Sequence, residues 1–250
     1  MTTPTPNTPQ PRDAGNWAQP VDKLKTTGIP SSAVNLNVDG KHLTGPLKGF
    51  GQMWQKTYSV RLSGATVTPA EVIKVWKAEF PNFWPKGNRF YAPLTSIEPG
   101  EVAVLNLSVP GGPPVTAIST GIMVIYADDV SFSFMTPEGH PLAAMITFSA
   151  HEDEGATVAQ VQALIRPNDP MFEMMFRLGV GHKGEDEFWQ ATLRSLAARF
   201  GVSGHPQQRT MLVDPRVQWS EAKNIWHNAA IRTALYIPIA LAKKVFKRSG

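Results

Sequence analysis

The sequence predicts an α+β domain made of one antiparallel sheet and a long amphipathic helix near its C-terminal end. Three observations carry this. Between residues 101 and 166 five strand-like runs follow one another with only short breaks, a spacing that allows hairpins and leaves no room for parallel crossovers. An alternating run and a well-capped helical run precede them, and after residue 168 the apolar period changes from two to about 3.6. A lone sheet must bury one face, and the terminal helix is the cover within reach.

The elements read in order as follows. "NLNVDGKHL" holds Asp39-Gly40, the pair favoured by a two-residue hairpin turn. "GPLKGFG" places Gly45, Gly49 and Gly51 close together, which suggests close backbone approaches; no phosphate-binding loop is expected, because a strand before it and a helix after it are missing. In "WQKTYSVRL" Tyr58, Val60 and Leu62 point one way and Thr57, Ser59 and Arg61 the other, a half-buried strand. "TPAEVIKVWKAEFP" is a helix: Thr68 caps it, Pro69 suits its first position, Glu71 completes a capping box and Pro81 ends it.

The meander then runs "EVAVLNLSV", "TAISTGIMVIYA", "VSFSFMT", "LAAMITFSA" and "ATVAQVQALIR", with Pro137-Glu138-Gly139 as a three-residue loop. "NDPMFEMMFRLG" is a short helix capped by Asn168 or Asp169. "EDEFWQATLRSLAARFG" is a longer one, with Trp189, Leu193, Leu196 and Phe200 on one face. Acids crowd its start and Arg194 and Arg199 its end, as the helix dipole prefers, and Gly201 closes it.

Composition bounds what such a domain can do. The chain has 250 residues, 42% of them hydrophobic and 18% charged, enough for one large domain with appendages. It has no cysteine, which excludes disulfides and thiolate metal sites. The net charge of +4 hides an asymmetry. Residues 205–250 hold eight basic side chains against Asp214 and Glu221, while the other 204 residues hold 16 basic and 18 acidic ones. A nearly neutral body argues against nucleic-acid binding and points to a basic C-terminal appendage.

The order and texture of "WQKTYSVRL", "TPAEVIKVWKAEF", "FMTPEGHPLAAMITFSA" and "DEFWQATLRSLAARFG" resemble the helix-grip fold of the START and polyketide-cyclase superfamily (SRPBCC), nearest to bacterial members of unassigned function. The resemblance covers roughly residues 53–201. It implies a curved antiparallel sheet of about six strands wrapped around a long C-terminal helix, with an apolar cavity between them. It further implies binding or carriage of a lipid, isoprenoid, polyketide or similar apolar molecule; a minority of members are cyclases, dehydrases or hydrolases. The chain departs from the pattern in its N-terminal extension and its tail after residue 204, and no ligand-binding residues transfer position by position. The expected organisation is a disordered lead-in over 1–20, an extension with a hairpin over 21–52, the helix-grip domain over 53–204 and a basic amphipathic tail over 205–250. A chain ending at Gly204 is expected to fold.

Candidate site residues follow. Tyr58, Phe132, Phe134, Ile146, Phe148, Val161 and Ala163 from the strands, with Phe172, Met175, Trp189 and Leu193 from the helices, are expected toward the cavity. His140 after the hairpin glycine is either a rim acid-base or a turn histidine bonded to backbone. Glu173, an acid among Met and Phe, either faces outward or pairs inside, and is the second acid-base candidate for a cyclase or hydrolase acting on a polyketide- or terpenoid-like substrate. No cofactor and no metal are expected, since the six histidines form no H-x-H or H-x-x-x-H pair. In the tail, ten uncharged residues between Arg232 and Lys243 are too few to span a bilayer. With Trp226, Tyr236, Lys243, Lys244, Lys247 and Arg248 they suit a helix at an anionic membrane interface, or one packed on the domain or on a second copy. The expected location is cytoplasmic, with peripheral attachment to a membrane through this tail.

Overall fold

The structure, a computed structural model, describes residues 14–30, 33, 35–91, 97–108 and 117–236. Among these, nine strands form one antiparallel sheet. They are β1 (Leu43–Thr44), β2 (Met53–Arg61), β3 (Arg89–Tyr91), β4 (Val102–Ser108), β5 (Ala117–Ala127), β6 (Ser131–Pro137), β7 (Leu142–Asp153), β8 (Ala156–Pro167) and β9 (Gln207–Asp214). The order across the sheet is β3-β4-β5-β6-β7-β8-β2-β9, and β1 pairs the end of β6. Three helices accompany it: α1 (Pro69–Glu79), α2 (Pro170–Arg177) and α3 (Val180–Arg199). α1 packs on β7 and β8, and α3 packs on β2 and β8. This is the helix-grip architecture, with more strands than the six expected.

The local chemistry is as the sequence implies at several points. Thr68 accepts the Glu71 N–H while the Glu71 carboxylate accepts from Thr68, a complete capping box on α1. Asp169, not Asn168, caps α2, accepting from the N–H groups of Met171 and Phe172. α3 starts at Val180, five residues before the acids that were expected to open it. Gly49 and Gly51 do lie against other parts of the chain: a Cβ on Gly49 would stand 2.9 Å from both Ala143 and Arg166.

Other expectations are corrected. Asp39-Gly40 forms a turn closed by the Lys41 N–H on the Val38 carbonyl, but no pair of strands flanks it. The two-residue hairpin lies instead at Glu154-Gly155, where both φ angles are positive, 43° and 75°, as a type I′ turn requires. The loop after β6 is longer than three residues. The β6–β7 pairing stops at Met135 opposite Met145, Thr136 and Pro137 turn to β1, and the Thr136 hydroxyl bridges the gap to Leu142 and Ala144. The lead-in expected through residue 20 does not extend over 14–20, because Trp17 bridges Tyr126 with ring centroids 4.7 Å apart.

The largest correction concerns residues 205–236, expected as a tail. β9 adds to the free edge of β2, in register from Met53 opposite Asp214 to Ser59 opposite Gln207. Arg166, buried in β8, donates to the Asp214 carboxylate at 2.8 Å and to the carbonyls of Pro46, Gly51 and Arg216, so one guanidinium ties three segments. Asn224 and Asn228 from the 3-10 helix Trp219–His227 and its end bond Asn168 and Asp169 at the start of α2. The helical residues 229–236 are held by Asn37, which receives a bond from Arg232 and donates to Thr233. Residues 205–236 are therefore part of the domain, and Lys243, Lys244, Lys247 and Arg248 lie outside the described residues. A chain cut after Gly204 leaves the Arg166 charge buried with no carboxylate. Its melting temperature, read by circular dichroism, is expected to fall by roughly 10 °C or more. An unchanged melt would mean that the segment after 204 is a dispensable appendage.

Candidate functional site

Strand alternation sends Lys56, Tyr58 and Val60 of β2 to the covered face of the sheet. Helical spacing sends Glu185, Trp189, Leu193 and Leu196 of α3 to the same interior. A lysine on one apolar face thus meets a glutamate on another. Lys56 has no exposed surface. Its Nζ donates to Asp186 Oδ1 at 2.7 Å, stands 3.1 Å from Glu185 Oε2, and reaches the His182 carbonyl at 3.4 Å. The Tyr58 hydroxyl donates to the same Asp186 oxygen at 2.7 Å. The His182 ring sits between Trp54 and Phe176, with centroids 4.8 and 4.7 Å away.

This cluster shifts its own protonation. Burial pushes the Glu185 carboxyl up, against the pull of Lys56 toward the charged form. Burial would raise Asp186 too, but the bonds from Lys56 and Tyr58 outweigh it and hold that carboxyl below its ordinary value. Burial holds the Tyr58 phenol well above its usual range, reinforced by Glu185. Burial, then Lys56, lowers the His182 imidazole. The Glu185 carboxylate faces Lys56 at 3.1 Å and the Trp189 indole, and its oxygens are sealed from solvent.

Beside the cluster lies a pocket of about 200 Å³ between the α2–α3 corner, the loop before β7 and the ends of β4 and β5. Its walls are chiefly Leu107, Ile118, Leu142, Phe172, Met175, Phe176, Val180 and Phe188, and Glu185 forms part of one wall. A larger cleft of about 450 Å³ runs along α1, but Glu71, Lys74, Lys77, Glu98 and Asp129 line it, as expected of a solvated groove.

The residues expected at the cavity divide. Phe172 and Met175 line the pocket. Tyr58, Phe132, Phe134, Ile146, Phe148, Val161, Ala163, Trp189 and Leu193 do not; they are packed in the core. Phe132 and Phe148 stack at 4.7 Å, Trp76, Phe80 and Trp189 close around them edge-on, and Phe134 lies tilted against both. Most of the space under the sheet is filled by its own aromatic lining, because α1 and the 3-10 turn that follows it bring Trp76 and Phe80 into it.

His140 borders the pocket but is only 8% exposed. Its Nδ1 accepts the Leu142 N–H at 3.0 Å and lies 2.9 Å from the Leu142 carbonyl, and its own carbonyl accepts from Asn168. Burial lowers its pKa to about 4, so the ring is neutral near pH 7. Glu173 is buried away from the pocket: its carboxylate accepts from the Gln52 N–H at 3.2 Å and from Arg177 at 2.7 Å. Among the described residues no group of three or more His, Asp or Glu could hold a metal ion.

Sequence reasoning missed Lys56, Glu185 and Asp186. Two signals were available: Lys56 alternates in phase with Tyr58 and Val60, and Glu185 stands four residues before Trp189 on the apolar stripe. If the ion pair holds α3 on β2, Lys56→Met is expected to lower the unfolding free energy by about 3–5 kcal/mol, leaving the Glu185 charge alone. Lys56→Met with Glu185→Met is expected to recover at least half of that loss. Urea unfolding of the two variants checks this, and a Lys56→Met midpoint equal to that of the wild type refutes it.

No family model and no curated protein matches the sequence. Solved structures similar to the chain include the di-domain ARO/CYC StfQ from the steffimycin biosynthetic pathway (12% identity, TM-score 0.45, 60% of this chain and 53% of that one). A START superfamily protein from Mycobacterium smegmatis matches at 17% identity and TM-score 0.37, over 60% of this chain and 98% of its own. Ginseng major latex-like protein 151 from Panax ginseng matches at 12% and 0.37, over 60% and 99%. The chain thus spans about half the length of the di-domain protein. Likeness at this level is confined to the course of the backbone.

Proposed function

We propose that the chain binds and carries a small apolar molecule in the pocket at the α2–α3 corner. The observation that supports this is an apolar pocket left open beside a closely packed aromatic core. Its 200 Å³ lies below the span usual for drug-sized ligands and somewhat above an engineered cavity of about 150 Å³ that takes up benzene. One ring, or the end of a longer chain, is the load it fits. The catalytic alternative is weaker. Glu173 is held by Gln52 and Arg177 away from the pocket, and the His140 ring is committed through Nδ1 to Leu142. Met175→Trp fills the pocket without touching the aromatic core. It is expected to weaken uptake of toluene by about tenfold or more, read by ligand-observed NMR, with the melting temperature unchanged. Equal uptake by both proteins would place the binding site elsewhere.

The same reading includes an anionic membrane surface at which the ligand is loaded or released. Trp219, Trp226 and Leu235 are 77%, 79% and 68% exposed, which is unusual for side chains of this size. Tyr236 is half-buried, and Lys243, Lys244, Lys247 and Arg248 follow in the sequence. Each basic residue near such a surface contributes on the order of 1 kcal/mol. No helix among the described residues is long and apolar enough to cross a membrane, so attachment would be at the interface. The full chain is expected to co-sediment with phosphatidylglycerol vesicles at low salt. High salt should release it, and Trp219→Ser with Trp226→Ser should cut the bound fraction several-fold. Indifference to anionic vesicles at low salt would remove the membrane from this account.

A further inference from the structure

Most polar side chains that border the apolar pocket already have their partners. The Asn88 amide donates to the Pro85 carbonyl at 3.0 Å and accepts the Ser108 N–H at 2.9 Å. Glu185 turns to Lys56. His140 is different. It is 8% exposed, and its ring meets the rest of the chain through Nδ1, which leaves Nε2 without a partner among the described residues. The residue is also held firmly in place. Its N–H donates to the Pro137 carbonyl at 3.2 Å, and its carbonyl accepts from Asn168 at 3.0 Å.

The bonds around Leu142 place the ring proton. The Asn168 N–H closes on the Pro141 carbonyl, so antiparallel alternation turns the Leu142 N–H away from β8. β6 gives it no carbonyl, because the pairing with β7 stops at Met145. Nδ1, at 3.0 Å, is the acceptor left to this N–H, and buried N–H groups are ordinarily paired. The Leu142 carbonyl takes the Thr136 hydroxyl at 2.8 Å. A neutral imidazole that accepts at Nδ1 carries its proton on Nε2, and burial keeps this ring neutral near pH 7.

We propose that the Nε2–H of His140 is the polar anchor of the pocket, and that the ligand is a small apolar molecule bearing a neutral carbonyl oxygen, such as an aryl ketone. The inference rests on carriage in this pocket and names what is carried. A hydrocarbon would leave the donor unpaired, and a carboxylate would lose its hydration for one bond from an uncharged group. A ketone oxygen accepts from Nε2 while its ring lies against Phe172, Met175 and Phe188. A site built to bond such a group discriminates against the analogue that lacks it.

Acetophenone, α-methylstyrene and benzoate test this on the full chain at pH 7. α-Methylstyrene matches acetophenone in shape without the acceptor, and benzoate carries a charge. Wild type is expected to bind acetophenone about tenfold tighter than α-methylstyrene. His140→Asn keeps an amide oxygen for the Leu142 N–H but has nothing that reaches the place of Nε2, and there the ratio is expected to fall within about twofold. Nitrogen-15 NMR of the wild-type imidazole is expected to show a protonated Nε2 whose signal shifts on adding acetophenone; this reading decides alone should the variant fail to fold. A proton found on Nδ1, or no shift, overturns the anchor. Equal wild-type binding of acetophenone and α-methylstyrene overturns it and leaves carriage standing, as does a ratio that survives in His140→Asn. Benzoate binding tighter than acetophenone overturns the neutral ligand. Failure of acetophenone and α-methylstyrene alike overturns the anchor and the carriage reading together.

Discussion

A primary ammonium with no exposed surface is the constraint around which this fold is arranged. Lys56 points inward from β2 and is tolerable there only because α3 brings two carboxylates to it at 2.7 and 3.1 Å. Coulomb attraction in such a place is offset by the loss of hydration of three ions, so the cluster adds little net stability compared with an apolar trio. What it does define is position. Sliding α3 by one residue would carry Glu185 off its face and leave Lys56 partly unpaired, whereas an all-apolar contact would accept the slip at small cost. Because β2 lies between β8 and β9, fixing α3 against β2 fixes it against the grip as a whole.

The second determinant is volume. A helix-grip sheet encloses a space that can be left open or filled, and here α1 fills most of it. Trp76 and Phe80 enter from α1 and its extension and meet Phe132, Phe134 and Phe148 from the strands. Among the described residues an apolar pocket survives where α2 gives way to α3, a turn held by Gly179 at a φ of 79°. Both features meet at that corner. The unfilled volume and the buried ion pair are neighbours there, Glu185 contributing to the pocket wall while its carboxylate turns to Lys56.

Much of the architecture was legible in the sequence. The alternation of β2, the capping box of α1, five meander strands and the apolar stripe of α3 all rest on local period and local capping, which a single chain displays. What was not legible depends on distant partners. β9 is exposed along nearly its whole length and does not alternate apolar with polar residues, so its pattern gives no sign that it pairs with β2. The C-terminal basic residues looked like a separate appendage because charge counting does not show that Arg166 needs Asp214. The cavity is smaller than the expected lining for a related reason: Phe132 and Phe148 point inward, but whether they line a void or fill one is settled by α1. From the sequence Glu185 reads as one of the acids at the start of α3, and the true start at Val180 moves that residue into the apolar stripe.

The placement of β9 also bears on how the chain is made. β2 leaves the ribosome long before β9, separated by about 150 residues, which at about 5–20 residues per second is a delay on the order of ten seconds. β8 can close one edge of β2 when it emerges, but the other edge must wait for residues 207–214. Through that interval the nascent sheet ends in an unpaired β2, the kind of open template that recruits neighbouring chains. Sheet completion is therefore a late event in biosynthesis, and the interval before it is when this protein is most exposed to misassembly on crowded polysomes.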